Sequence, residues 1–127
     1  MTGAALEVVF DHFHARRRRD LDALTRGLDP DVIHQGVLPS VVCTGRDEVL
    51  ERVRSNLDHD DFGVDRIELV GAGDQVIVGI GGPRFQEIPF LVGEIFIVFT
   101  TRDGLIVRMD DYRTRAEAMA AVKRPMH

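Results

Sequence analysis

Two adjacent aspartates, Asp110 and Asp111, close a run of strand-forming residues, Leu105-Ile-Val-Arg-Met109. Side chains alternate faces along a strand, so the two acids point to opposite sides of any sheet that holds them. By that alternation Asp111 shares a face with Val107 and Met109, an apolar surface. A carboxylate on an apolar wall is costly unless a partner holds it or a reaction uses it. The chemistry open to such a group is proton transfer. Asp110, on the other face, is expected to pair at the surface with Arg108 or Lys123.

The other reactive residue types read as structural. His12 and His14 lie two apart on a helix and so on different sides, which rules out a shared metal of the kind two histidines four apart can hold. His59-Asp60-Asp61 stands at a helix end before Gly63 and reads as a solvated turn. Cys43 is the single cysteine, which excludes an intramolecular disulfide. Between Val42 and Thr44 it reads as a small buried hydrophobe. Arg16-Arg-Arg-Arg19 fans around a helix axis instead of forming a stripe, and cations suit a helix C-terminus. No metal and no cofactor are expected.

Bulk properties narrow the class. A chain of 127 residues, 44% hydrophobic, supports one core and not two. A net charge of -5 argues against nucleic acid as a partner, since phosphate binding wants a clustered positive surface. No segment approaches a membrane span, and the first residues lack the basic and apolar regions of a signal peptide. The expectation is a cytoplasmic single domain over residues 1–127.

The elements that must position Asp111 follow from periodicity. Leu6, Val9, Phe10 and Phe13 have helical spacing, and the helix runs to about Arg19. Asp20 caps a second short helix carrying Leu21, Leu24 and Leu28, stopped by Asp29-Pro30-Asp31. Val32 to Leu38 is a short strand. Thr44 opens a third helix, with Asp47 completing an approximate capping box and Val49, Leu50, Val53 and Leu57 along one face. Four strands follow: Val64 to Val70, Gln75 to Ile80, Phe90 to Thr101 and Leu105 to Arg113. Gly73-Asp74 and Asp103-Gly104 are hairpin turns, and Pro83 to Pro89 is a longer loop. Thr114-Arg-Ala-Glu117 is a capping box for a last helix through Val122. Helices first and an antiparallel meander after them make an α+β fold.

This order, with Asp20-Leu-Asp-Ala-Leu, Leu28-Asp-Pro-Asp-Val-Ile-His34, Gly45-Arg-Asp-Glu-Val-Leu50 and Asp103-Gly-Leu-Ile-Val-Arg-Met-Asp-Asp-Tyr112, resembles the SnoaL-like branch of the nuclear-transport-factor-2-like superfamily. The resemblance implies a cone-shaped barrel, a cystatin-like α+β roll. In it a strongly curved, mainly antiparallel sheet wraps around the N-terminal helices and a pocket opens at one end. Relatives implied by it include polyketide cyclases, a steroid isomerase, limonene-epoxide hydrolase, scytalone dehydratase and pocket proteins without chemistry, and fold alone does not choose among them.

Carried over residue by residue, Asp111, which precedes Tyr112, matches the position where the epoxide hydrolase and some cyclases keep an acid. His34 matches a pocket tyrosine of the hydrolase, and Gly36 falls where the hydrolase has an asparagine. Val78-Gly-Ile-Gly-Gly82 lacks the arginine and second aspartate that hydrolysis requires. The isomerase base falls on Gln35 or Gly36, and its first-helix tyrosine has no counterpart, since Tyr112 is the single tyrosine. Both reactions are therefore unexpected.

His34 with Asp111 fits a cyclase or simple proton-transfer site acting on an apolar carbonyl compound. The alternatives are a structural Asp111, paired with Arg84, Arg113 or a backbone donor, and a His34 that is a satisfied wall residue. A greasy lining is expected from Phe10, Phe13, Ile95, Ile97, Phe99, Val107 and Met109. That lining equally describes a plain core or the site of a non-catalytic binder. Gly79, Gly81 and Gly82 are expected at bends of the sheet or where a ligand needs room. Phe96 and Val98 on the outer sheet face suggest a homodimer through that face, or cover by the last helix.

Overall fold

The computed structural model describes residues 3–58, 66–82 and 93–122. The elements run α1 (Gly3–Arg18), α2 (Leu21–Arg26), β1 (Leu28–Gln35), β2 (Val42–Thr44), α3 (Arg46–Asp58), β3 (Arg66–Ala72), β4 (Gln75–Gly81), β5 (Glu94–Arg102), β6 (Leu105–Tyr112) and α4 (Arg115–Val122). Six strands form one mixed sheet in the order β2-β1-β6-β5-β4-β3. Among the described residues only the β1–β6 pairing is parallel. The expected α+β order is present, with one strand more than the sequence reading supplied.

Local chemistry explains the boundaries. Asp20 caps α2 by accepting from the Ala23 amide at 3.1 Å. The helix stops at Gly27, earlier than expected, and Leu28 already belongs to β1. Pro30 is tolerated because the β1–β6 register is irregular between Leu28 and Ile33, so its missing N–H breaks no regular ladder. Thr44 ends β2 and does not open α3; its amide donates to the Glu48 carboxylate at 2.8 Å. Asp103 and Gly104 both have positive φ, 55° and 80°, as a tight turn between right-twisted strands requires.

The two faces of the sheet are filled differently. Val76, Val78, Ile80, Ile97, Phe99, Ile106 and Met109 lie on the α1 side of the sheet and form the main core with Val9, Phe13, Leu24 and Val49. Ile77, Phe96 and Val98 face the other way and are buried with Ala118 of α4. The outer apolar patch foreseen in the sequence is therefore covered within the same chain. Gly79 lies on this side, where an added Cβ would come within 3.0 Å of the Phe96 ring. Thr114 holds the covering helix, its hydroxyl accepting from the Glu117 amide at 3.1 Å. Replacing that cap, Thr114→Ala, is expected to lower unfolding stability by about 1 kcal/mol in a urea titration.

Two expected lining residues are misplaced by the sequence reading. Phe10 is 62% exposed and stacks on His14, at 6.3 Å between ring centroids. The helix is rolled so that Ala5, Val9, His12 and Phe13 face inward; small Ala5 and Ala15 fit against the interior better than Phe10 does. Val107 also leaves the inner face. A register shift in the β5–β6 pairing inserts an extra residue there, so Ile106 takes the core position and Val107 lies outside both clusters. Phe13, Ile97, Phe99 and Met109 belong to the core, with Ile95 packed on it partly buried.

Candidate functional site

Parallel pairing of β1 with β6 sets His34 beside Met109 and Gln35 beside Asp110. Two residues along from Met109, on the same face, comes Asp111. Its Oδ1 lies 2.8 Å from His34 Nε2, a contact whose side chains are only 14% and 6% exposed. Asp110, pointing the other way, takes the Arg108 Nε–H between its two oxygens at 3.0 Å. The twin acids thus divide as alternation requires: one bonded in a surface ion pair, the other sunk beside a histidine. Arg113 reaches Glu117 at 3.9 Å, and Arg84 lies outside the described residues, as do His59 to Asp61, Lys123 and the loop from Pro83 to Pro89.

The site has an approach. A cleft of about 600 Å³ lies between the Gln35–Pro39 turn and the Asp110–Arg113 end of β6, and Asp111 is part of its lining. Gln35 shapes the turn: its amide nitrogen is 3.2 Å from the carbonyl oxygens of Gly36, Leu38 and Val41. Gln35 therefore organises a wall of the cleft. Gly36 is required for a different reason. A Cβ there would lie 2.7 Å from Val41 Cγ1, because the Gly36 amide donates to the Val41 carbonyl at 2.7 Å. Tyr112 sits on the opposite sheet face, where burial and then Asp110 raise its pKa above 10.0. It does not join Asp111.

The residue that sequence reasoning missed is His12. It is 5% exposed, and neither ring nitrogen has a hydrogen-bond partner among the described residues. Phe13 and Phe99 stand 5.2 and 5.6 Å from it, ring centroid to centroid. Burial first, then Arg16 and His34, push its pKa well below 6.5, so the ring is neutral at physiological pH. An imidazole buried with empty hydrogen-bonding groups costs about 1–3 kcal/mol for each. The signal was in the sequence: His12 stands three residues after Val9 and seven after Ala5, on one helical stripe.

The class is now defined: an α+β protein whose N-terminal helices cover one face of a mixed sheet, with a buried histidine–aspartate contact at the sheet's end. Residues 9–109 match the SnoaL-like domain model, and the chain belongs to that family. Solved structures agree on the fold. A Sinorhizobium meliloti protein provisionally named a polyketide cyclase is 23% identical, with a TM-score of 0.66 over 84% of this chain and 94% of its own. A Kribbella flavida protein provisionally named a ketosteroid isomerase is 18% identical, with a TM-score of 0.66 over 99% and 84%. TerC, crystallised with polyporic acid, is 18% identical, with a TM-score of 0.62 over 95% and 98%. Other matches are nuclear-transport-factor-2-like proteins, among them one from Burkholderia xenovorans. No curated protein matches the chain significantly.

Proposed function

We propose that this chain is a small-molecule pocket protein working as a cofactor-independent enzyme of cyclase or isomerase type. Its substrate class is an apolar carbonyl compound. The observation that carries the reading is the 2.8 Å contact between His34 and Asp111 at the edge of an apolar core. In it, Asp111 accepts a proton from the carbon next to the carbonyl, leaving an enolate. Return of the proton to another carbon completes an isomerisation; attack of the enolate carbon on a second carbonyl, whose oxygen then takes the proton back from Asp111, completes an aldol cyclisation. His34 holds the carboxylate in place and donates to the enolate oxygen or to Asp111 as charge moves. The provisional names of two neighbours support the same class.

The test is deuterium uptake next to the carbonyl of 2-tetralone, followed by NMR in heavy water. Wild-type protein is expected to accelerate uptake over buffer, and His34→Gln to remove most of the acceleration while the ketone still binds. Uptake that His34→Gln leaves unchanged would overturn the proposal. A second reading, a binder without chemistry, is favoured by the tight interior, where Val9, Val78 and Phe99 are fully buried. It predicts ketone binding with no uptake above buffer.

A further inference from the structure

The sheet ends in two unlike edges. β2, at one end, has three residues and lies between Pro39 and α3. Short strands and prolines keep an edge from pairing with another chain. β3, at the other end, has seven residues in unbroken register with β4. It contains no proline, lysine or bulge, and among the described residues no strand pairs with its outer side. Alternate residues therefore turn N–H and C=O groups outward with no strand to receive them. Ile67 and Val70 on the same strand are 40% and 42% exposed.

α1 adds apolar surface beside that edge. It starts next to the Gly73–Asp74 turn, and its Leu6 fills the space over Gly71. The helix thus runs back along β3. Phe10, one turn on from Leu6 and on the same side of the helix, comes level with the middle of the strand with its ring exposed.

We propose that β3 pairs antiparallel with β3 of a second copy of this chain, with Leu69 on the two-fold axis. Charge selects this occupant. The strand begins with Arg66, whose side chain is 55% exposed, and is followed by the exposed Asp74. Antiparallel alignment sets the positive start of each strand against the negative turn of the other. Centring on Leu69 uses all seven residues. Arg66 then stands opposite Ala72 of the second copy, diagonal to its Asp74, with Ile67 opposite Gly71 and Glu68 opposite Val70. Centring one residue earlier would set Glu68 against itself, and one residue later would shorten the ladder. On the inner side Ile67 lands on the position that has no side chain of its own, against Leu6 and Phe10 of the second copy. Within each chain Arg66 holds Glu94 at 3.1 Å and Glu68 holds Arg115 at 2.7 Å, so the seam brings no unpaired like charges together. The contact is an edge, distinct from the outer sheet face that α4 covers. It is independent of the chemistry at His34 and Asp111, which lie on β1 and β6.

Sedimentation equilibrium is expected to show a monomer at low micromolar and a dimer at high micromolar concentration, the strength that a strand ladder with a small apolar patch supports. Amides of β3 are expected to exchange more slowly in the dimer, with those of β2 unchanged. Ile67→Lys places a charge on the edge and is expected to keep the chain monomeric. Because Ile67 is exposed, its replacement should leave the melting temperature at low concentration as it is. Arg66→Glu and Asp74→Arg are each expected to weaken the dimer about tenfold, and the two together to recover most of that loss, since the double change restores opposite charges across the seam. A monomer at every concentration would overturn the proposal. A dimer that keeps its strength in both Ile67→Lys and Arg66→Glu would place the contact elsewhere and overturn it equally, as would slowed exchange in β2 in place of β3.

Discussion

Asp111→Asn protein is expected to exchange protons on 2-tetralone about 10²- to 10⁴-fold more slowly than wild type, the span ordinarily lost with a positioned acid or base. The substitution is nearly isosteric. The amide still meets His34, because one of its two terminal atoms accepts and the other donates. Folding and ketone affinity should therefore change little, and the loss should fall on turnover and not on binding. Asp110→Asn is the matched control. Asp110 has the same chemistry one residue away, yet it is on the outer side of the sheet and bonded to Arg108. Its loss is expected to leave exchange within about twofold of wild type and to cost no more than an exposed ion pair, about 0–1 kcal/mol. Equal losses from the two substitutions would mean that general charge, and not the buried carboxylate, sustains the reaction.

That division between neighbours was legible in the sequence, because the two-residue period of a strand needs nothing beyond the chain itself. Asp111 could be assigned to the inner face, and the hairpin at Asp103-Gly104 and the cap at Thr114 could be placed, from local rules alone. His34 entered through resemblance: its pairing with Asp111 depends on β1 lying parallel to β6, and nothing near His34 encodes a partner 77 residues away. The misplaced residues share one cause. Val107 was displaced by a register shift that exists only between two paired strands. Phe10 was displaced by the roll of α1, set by how closely Ala5 and Ala15 let the helix approach. His12 was hidden because apolar periodicity does not count a titratable side chain, although it occupies an apolar position. The three residues of β2 were too few to show any period.

The largest loss of stability is expected at Phe99, where the core and the candidate site meet. The ring is fully buried, set edge-on to Phe13 at 5.5 Å and tilted against His12 at 5.6 Å. Its strand neighbours are Val76 on one side and Met109 on the other, and Met109 lies beside His34. Truncation to alanine removes the ring from a place where β4, β5, β6 and α1 all hold the walls, so the space closes poorly. Phe99→Ala is accordingly expected to lower unfolding stability by about 3–5 kcal/mol in urea titration. Phe10→Ala, the same change on the exposed side of α1, is expected to cost less than about 1 kcal/mol. A loss below about 2 kcal/mol at Phe99 would mean that the interior relaxes around the missing ring. The contrast with His12 follows from the same packing. Phe99 and His12 touch, yet removing the ring should destabilise the free protein while removing the imidazole should stabilise it. Packing explains Phe99 completely, whereas the two ring nitrogens of His12 have no hydrogen-bond partner among the described residues.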